Sequence, residues 1–118
     1  MKRWMRGGGP VKINRHNVAE VFSIIENIHN IDLRKSSTRE AVSSRRIVVN
    51  YILAQTGWSV TELHRVLRDT GVTGQGLSRR SLAWYKTTQD EILSSSPGAA
   101  INYSATYNAT AVLLQHNL

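Results

Sequence analysis

The sequence contains no cysteine, so it offers neither a disulfide framework nor a thiolate metal site, which fits a reducing cytosol. Acidic residues are scarce: 8 Asp plus Glu stand against 15 Lys plus Arg, leaving a formal charge of +7. That balance favours a polyanionic partner, although charge alone does not choose among DNA, RNA and an anionic membrane. Long hydrophobic runs are missing too, and none approaches the roughly 18 to 20 residues that span a bilayer, so no membrane partner is expected. The opening Met1-Lys2-Arg3-Trp4-Met5-Arg6 run is basic, but Gly7-Gly8-Gly9-Pro10 follows where an export signal needs an apolar core. A cytoplasmic, nucleoid-associated protein (in a host cytoplasm if viral) is the expectation. Nothing marks a nucleophile elbow, a P-loop or a carboxylate pair, and His16, His29, His64 and His116 lack paired ligand spacing. No enzyme activity, metal or cofactor is therefore expected.

What is present is helix punctuation. At 118 residues the chain has room for one small domain. Residues 1–13 read as a flexible basic arm, either a phosphate or minor-groove contact or a solvated terminus. Asn17 with Glu20 has the spacing of a capping box, and Val18, Val21, Phe22, Ile25 and Ile28 recur at helical period, which predicts a helix over 18–29 closed by Asn30. A cationic loop, Arg34-Lys35-Ser36-Ser37, comes next. Ser37 with Glu40 then opens a long helix over 38–56, whose Ile47-Val48-Val49 run would allow a strand by propensity but is outweighed by the i, i+4 pattern out to Ala54. Gly57 ends it.

Ser59 with Glu62 makes another capping box, with Trp58 and Leu63 at the staple positions and Val60, Leu63, Val66 and Leu67 along one stripe. Gly71 stops this short helix. After a glycine-broken loop, Ser78 caps a helix expected to bury Leu82, Tyr85, Ile92 and Leu93 and to expose Arg79, Arg80, Ala83, Lys86 and Thr87. Two short helices, the second with a basic front, are what a helix-turn-helix needs to enter a major groove. Ser94-Ser95-Ser96-Pro97-Gly98 is read as a break. Residues 95–118 are then a low-charge, low-complexity tail, disordered or carrying a short helix over 109–116 that docks on the domain or on another copy. The domain proper is expected to span 14–94.

From Leu33 to Leu67 the chain resembles, without a gap, the C-terminal duplex-binding domain of the bacterial replication initiator DnaA. The matching residues are Leu33, Lys35, Thr38, Arg39, Glu40, Arg45, Ile47, Thr56, Ser59, Val60, Glu62 and Leu63. The resemblance implies an all-α fold, a small helical bundle with a helix-turn-helix of the Trp-repressor kind. It also implies that Arg45 sits where that family contacts phosphate. The chain departs from the family at the recognition helix. The family's Asp-His-Thr-Thr base readers are absent, and a longer loop, Arg68 to Leu77, leads into Ser78-Arg79-Arg80-Ser81. In the basic loop, Ser36 and Ser37 replace the family's lysine and arginine, with Arg34, Lys35 or Arg39 as substitutes.

These readings assign base contact to Arg79, Arg80, Ser81 and Ala83. Backbone contact falls to Lys35, Arg39, Arg45, Arg46, Thr61, Ser78 and Lys86, and minor-groove or arm contact to Lys2, Arg3 and Arg34. Trp58, Trp84 and Tyr85 are expected in the core rather than stacked on bases. The expected function is sequence- or structure-selective binding of double-stranded DNA, as a viral or mobile-element accessory in replication, transcription or packaging. The alternative is an interaction or assembly protein, either an antagonist of the host initiator or a virion component, that keeps the scaffold without reading DNA. Self-association through the tail belongs with either. RNA binding is weaker, because the sequence lacks a stacking sheet of aromatics.

Overall fold

A computed structural model of the chain describes residues 12–118, which form five α-helices and a single 3-10 turn, with no strand among the described residues. The first helix, α1 (Val18–His29), buries Val18, Val21, Phe22 and Ile25 and closes on Asn30 in the left-handed region at φ 53°. Asn17 does not cap it. Its side chain instead accepts from the Asn14 amide at 2.8 Å and donates to the Lys12 carbonyl at 2.9 Å, forming a turn that carries Ile13 into the core. Ile13 therefore belongs to the packed domain and not to the arm expected over 1–13. The arm residues Lys2 and Arg3 lie outside the described residues.

Helix α2 (Arg39–Thr56) starts one residue later than the Ser37 pattern implies, because Thr38 supplies the cap and accepts from the Ala41 amide at 3.3 Å. Ile47, Val48 and Val49 are all buried in helical conformation. Burial stabilises each by about 1.5 to 3 kcal/mol, far more than the few tenths that β-branching costs a helix. Gly57 ends α2 at φ 74°, where a side chain would be strained. Helix α3 (Val60–Asp69) begins with the reciprocal Ser59 and Glu62 box, and Trp58 packs half-buried on the core beside it.

A 3-10 turn (Gln75–Leu77) leads into α4 (Arg79–Ser95), capped by the Ser78 hydroxyl accepting from the Ser81 amide at 3.1 Å. Leu82 and Tyr85 are buried and Ile92 is half-buried, but Leu93 is 43% exposed, against expectation. It instead lines an open hollow beside the last helix, together with Tyr103 and Tyr107. That helix, α5 (Pro97–Asn117), runs the whole length of the supposed tail. Ser96 caps it and Pro97 occupies its first turn, so the Ser-Pro pair starts a helix here as well as ending one.

Residues 95–118 are therefore part of the domain rather than an appendage to 14–94. Leu114 is fully buried in the same cluster as Val18, Phe22, Ile52 and Leu63, with Tyr107, Ala111 and Leu118 packed against it. Tyr107 meets Tyr51 of α2 edge-on with ring centroids 6.0 Å apart, and Gln115 donates to the Tyr51 hydroxyl. On the α4 side, Tyr103 donates to Gln89 at 2.5 Å. No helix among the described residues is long and apolar enough to cross a membrane.

Candidate nucleic-acid interface

The loop between α1 and α2 is where the basic surface begins, and its shape is dictated from underneath. Arg45, on the inner face of α2, is 2% exposed. Its guanidinium donates to the Leu33 carbonyl, to the Ser36 carbonyl at 2.6 Å and to the Tyr85 hydroxyl at 3.0 Å. Tyr85 passes the connection on, its hydroxyl donating to the Gly76 carbonyl at 3.1 Å. One side chain thus joins the basic loop, α4 and the turn that precedes α4. The planar fork of arginine suits this task, since three separate nitrogens reach the three acceptors, whereas the donors of a lysine all radiate from one nitrogen.

Arg45 therefore does not contact phosphate, contrary to what the resemblance implied. Carbonyls of a tight loop need buried donors, and Arg45 supplies them.

Backbone contacts draw the same two segments together. The Gly76 amide donates to the Arg34 carbonyl at 3.0 Å, and the Gln75 side chain donates to the Lys35 carbonyl at 3.0 Å. Glycine is needed here for close approach: a Cβ on Gly74 would lie 2.3 Å from the Arg34 carbonyl oxygen, and one on Gly76 would lie 2.5 Å from the Arg45 guanidinium carbon. The loop itself is turned by Asp32, whose carboxylate accepts from the amides of Arg34 at 2.8 Å and Lys35 at 3.1 Å. Those two amides hold Asp32 below the usual carboxylate range.

The result sets the cationic loop beside the start of α4. Arg79, Arg80, Ala83 and Lys86 are exposed, and neither Arg79 nor Arg80 forms an ion pair among the described residues. Arg79, Arg80 and Ala83 share an open hollow of about 370 Å³ with Val60 and Thr61 at the front of α3. Lys35 and Arg39 are exposed as well. Ser78 and Ser81 bond each other at 3.0 Å within the cap.

Two further arginines are engaged within the fold. Arg34 pairs with Glu26 at 3.4 Å, and the second oxygen of that carboxylate accepts from the Leu33 amide at 2.9 Å. Arg34 is thus held back along α1 rather than extended as a minor-groove substitute. Arg46 donates to Thr88 at 2.8 Å and lies 5.1 Å from the Trp84 ring centroid, a cation–π contact that ties α2 to α4 from outside. Trp84 is 48% exposed, so the expectation that it enters the core is corrected. It lies on the outer side of α4, edge-on to the buried Tyr85 at 5.5 Å.

Sequence reasoning missed Asn50, which is buried on α2 and donates to the Tyr85 carbonyl at 3.1 Å, and it read the glycines of the turn only as breakers, not as sites of close approach to Arg34 and Arg45. An isolated asparagine on an apolar helix face was the available signal for the first. Fold and surface together define an all-helical protein with a cationic face assembled from the loop after α1 and the front of α4. No protein-family model, curated protein or solved structure matches the chain.

Proposed function

We propose that this chain binds double-stranded DNA, with α3 and α4 acting as a helix-turn-helix and α4 entering the major groove by its basic front. The observation that carries the reading is the pair Arg79 and Arg80, exposed in the first turn of α4 beside Thr61 and forming no ion pair among the described residues. At that position an arginine reaches the paired acceptors of a guanine edge, a contact that discriminates by about 1 to 3 kcal/mol. Lys35, Arg39, Thr61, Ser78 and Lys86 serve as backbone contacts that set orientation without reading sequence. The likeness of residues 33–67 to the DnaA duplex-binding domain supports the same arrangement by analogy. It is also the basis for a role as a viral or mobile-element accessory in replication, transcription or packaging.

Selection from a random duplex pool, followed by titration at several salt concentrations, tests this reading. Binding should fall with salt by a log–log slope of about −0.9 for each phosphate contacted. Replacing Arg79 and Arg80 together by Ala should flatten the selected preference, whereas Lys86→Ala should weaken all sequences alike. An unaltered selection by the double variant would refute the assignment of α4.

The second reading, an interaction or assembly protein, draws on a different feature: the uncharged and partly apolar outer surface of α5.

A further inference from the structure

From Ile92 to Leu118 there is no lysine, arginine, aspartate or glutamate, and all 15 basic and all 8 acidic residues precede that point. Most of this stretch is α5, whose inner side is held by Tyr107, Ala111 and Leu114. Its outer side carries Ile101 at 67% and Val112 at 55% exposure, three turns apart at about 3.6 residues per turn and therefore on one face. Ala105 and Asn108, both exposed, lie between them on that face.

We propose that this face binds a second copy of the chain, with two α5 helices packed antiparallel about a two-fold axis. Two arguments select that occupant. The first is charge. Two copies at +7 repel each other, and the surface of α5 is where they can meet without opposing cations. An acidic partner would choose the basic front of α4 instead. A lipid surface is recognised by an interfacial helix that brackets its apolar face with Lys and Arg, which α5 lacks.

The second argument is self-complementarity. In a two-fold contact the residue at i meets j while j meets i. Centred between Ala105 and Asn108, an antiparallel pair sets Ile101 of each copy against Val112 of the other and Ala105 against Asn108. The small side chain at 105 lets the helices approach at the middle. Beside the stripe, a hollow of about 250 Å³ lined by Leu93, Tyr103 and Tyr107, among others, offers further apolar surface at the rim.

The area sets the strength. A helix of 21 residues is about 31 Å long, so one face of it covers no more than the roughly 800 Å² per partner of a standard interface. Association in the micromolar range is expected, and salt should strengthen it by screening the net charge. The dimer stands whether or not the basic face takes DNA.

Sedimentation velocity on the full chain, from about 1 µM to about 500 µM, tests the proposal. The dimer fraction should rise with concentration. Ile101→Glu and Val112→Lys should each raise the dissociation constant at least tenfold, because each buries a charge without a partner. Thermal melts at concentrations where the parent is monomeric should be unchanged, since both side chains are exposed in the monomer. Combining Ile101→Glu with Val112→Lys should restore the dimer, because antiparallel pairing sets each carboxylate against an ammonium of the other copy. The proposal is overturned by a monomer at every concentration, by single variants that associate like the parent, or by a double variant that does not recover. An open-ended series of larger species would overturn it too, since a two-fold contact closes.

Discussion

The front of α4 and the outside of α5 are both exposed, yet they are built on opposite terms. The front presents Arg79, Arg80 and Lys86, with Lys35 and Arg39 from the neighbouring loop and helix start. The outside of α5 presents no charge and two large aliphatic side chains, Ile101 and Val112. Helix α4 belongs to both regions: its first half meets α3 at the basic hollow, and its second half receives α5 through Gln89 and Tyr103. The contrast teaches that one small chain can carry a cationic face and an uncharged one side by side when its charges are confined to one part of the sequence.

The contrast can be broken most severely from below the front. Arg45→Met should destabilise the fold by about 3 to 5 kcal/mol, because the Leu33 and Ser36 carbonyls lose their buried donor. Thermal unfolding measures this, and a melt within a degree of the parent would show that the clamp does not hold the loop. Arg45→Lys should fail nearly as badly, although it preserves the charge that a phosphate contact would need. By comparison, the Arg79 and Arg80 double change should leave stability within about 0.5 kcal/mol while lowering duplex affinity by about tenfold or more.

Salt sharpens the comparison. Raising ionic strength should weaken duplex binding and strengthen self-association, and the opposite slopes can be read from one salt series in two assays. If both quantities move in the same direction, the two faces are not independent.

A smaller effect probes how α5 is held. Burial pushes the Tyr103 phenol up to about 12 from its ordinary value of 10.0. A folded-state value above the unfolded one means that this contribution is complete below about pH 10 and disappears as pH rises through about 12. Tyr103→Phe should remove that part of the alkaline loss, on the order of 1 kcal/mol once solvent screening at a half-exposed site is counted. An alkaline titration followed by circular dichroism checks it. The smallest change is expected for Trp84→Ala, which frees Arg46 from its ring contact at a cost of about 0.5 to 1 kcal/mol. Quantitative urea melts suffice to detect it.

Local punctuation was legible where it depends on neighbours in sequence. The Ser59 and Glu62 box, the Ser78 cap and the glycine end of α2 are short-range arrangements, and each forms where its residues predict. Where a capping pattern failed, a competing local bond won: Asn17 bonds to Lys12 and Asn14, and Thr38 displaces Ser37. Helix α5 was harder to read. Its polar and apolar residues are mixed around the axis, and its docking stripe of Tyr103, Tyr107, Thr110 and Leu114 includes a threonine and two tyrosines that resemble surface residues until their partners are known. The helical spacing of that stripe was nevertheless present, and Pro97 after a serine cap marked the start.

The basic face divides along the same line. That Arg79 and Arg80 open a capped helix follows from the order of residues alone, and so does the absence of charge beyond Glu91. Which arginines remain available to a partner was decided only when the chain folded. Arg45 lies far along the chain from Tyr85 and Gly76, and no periodicity shows that a guanidinium on α2 will find carbonyls of a loop and the hydroxyl of another helix. Short-range hydrogen bonds are set by spacing, and spacing is written in the sequence. Burial and partnership depend on which helices meet, and only the tertiary structure settles that.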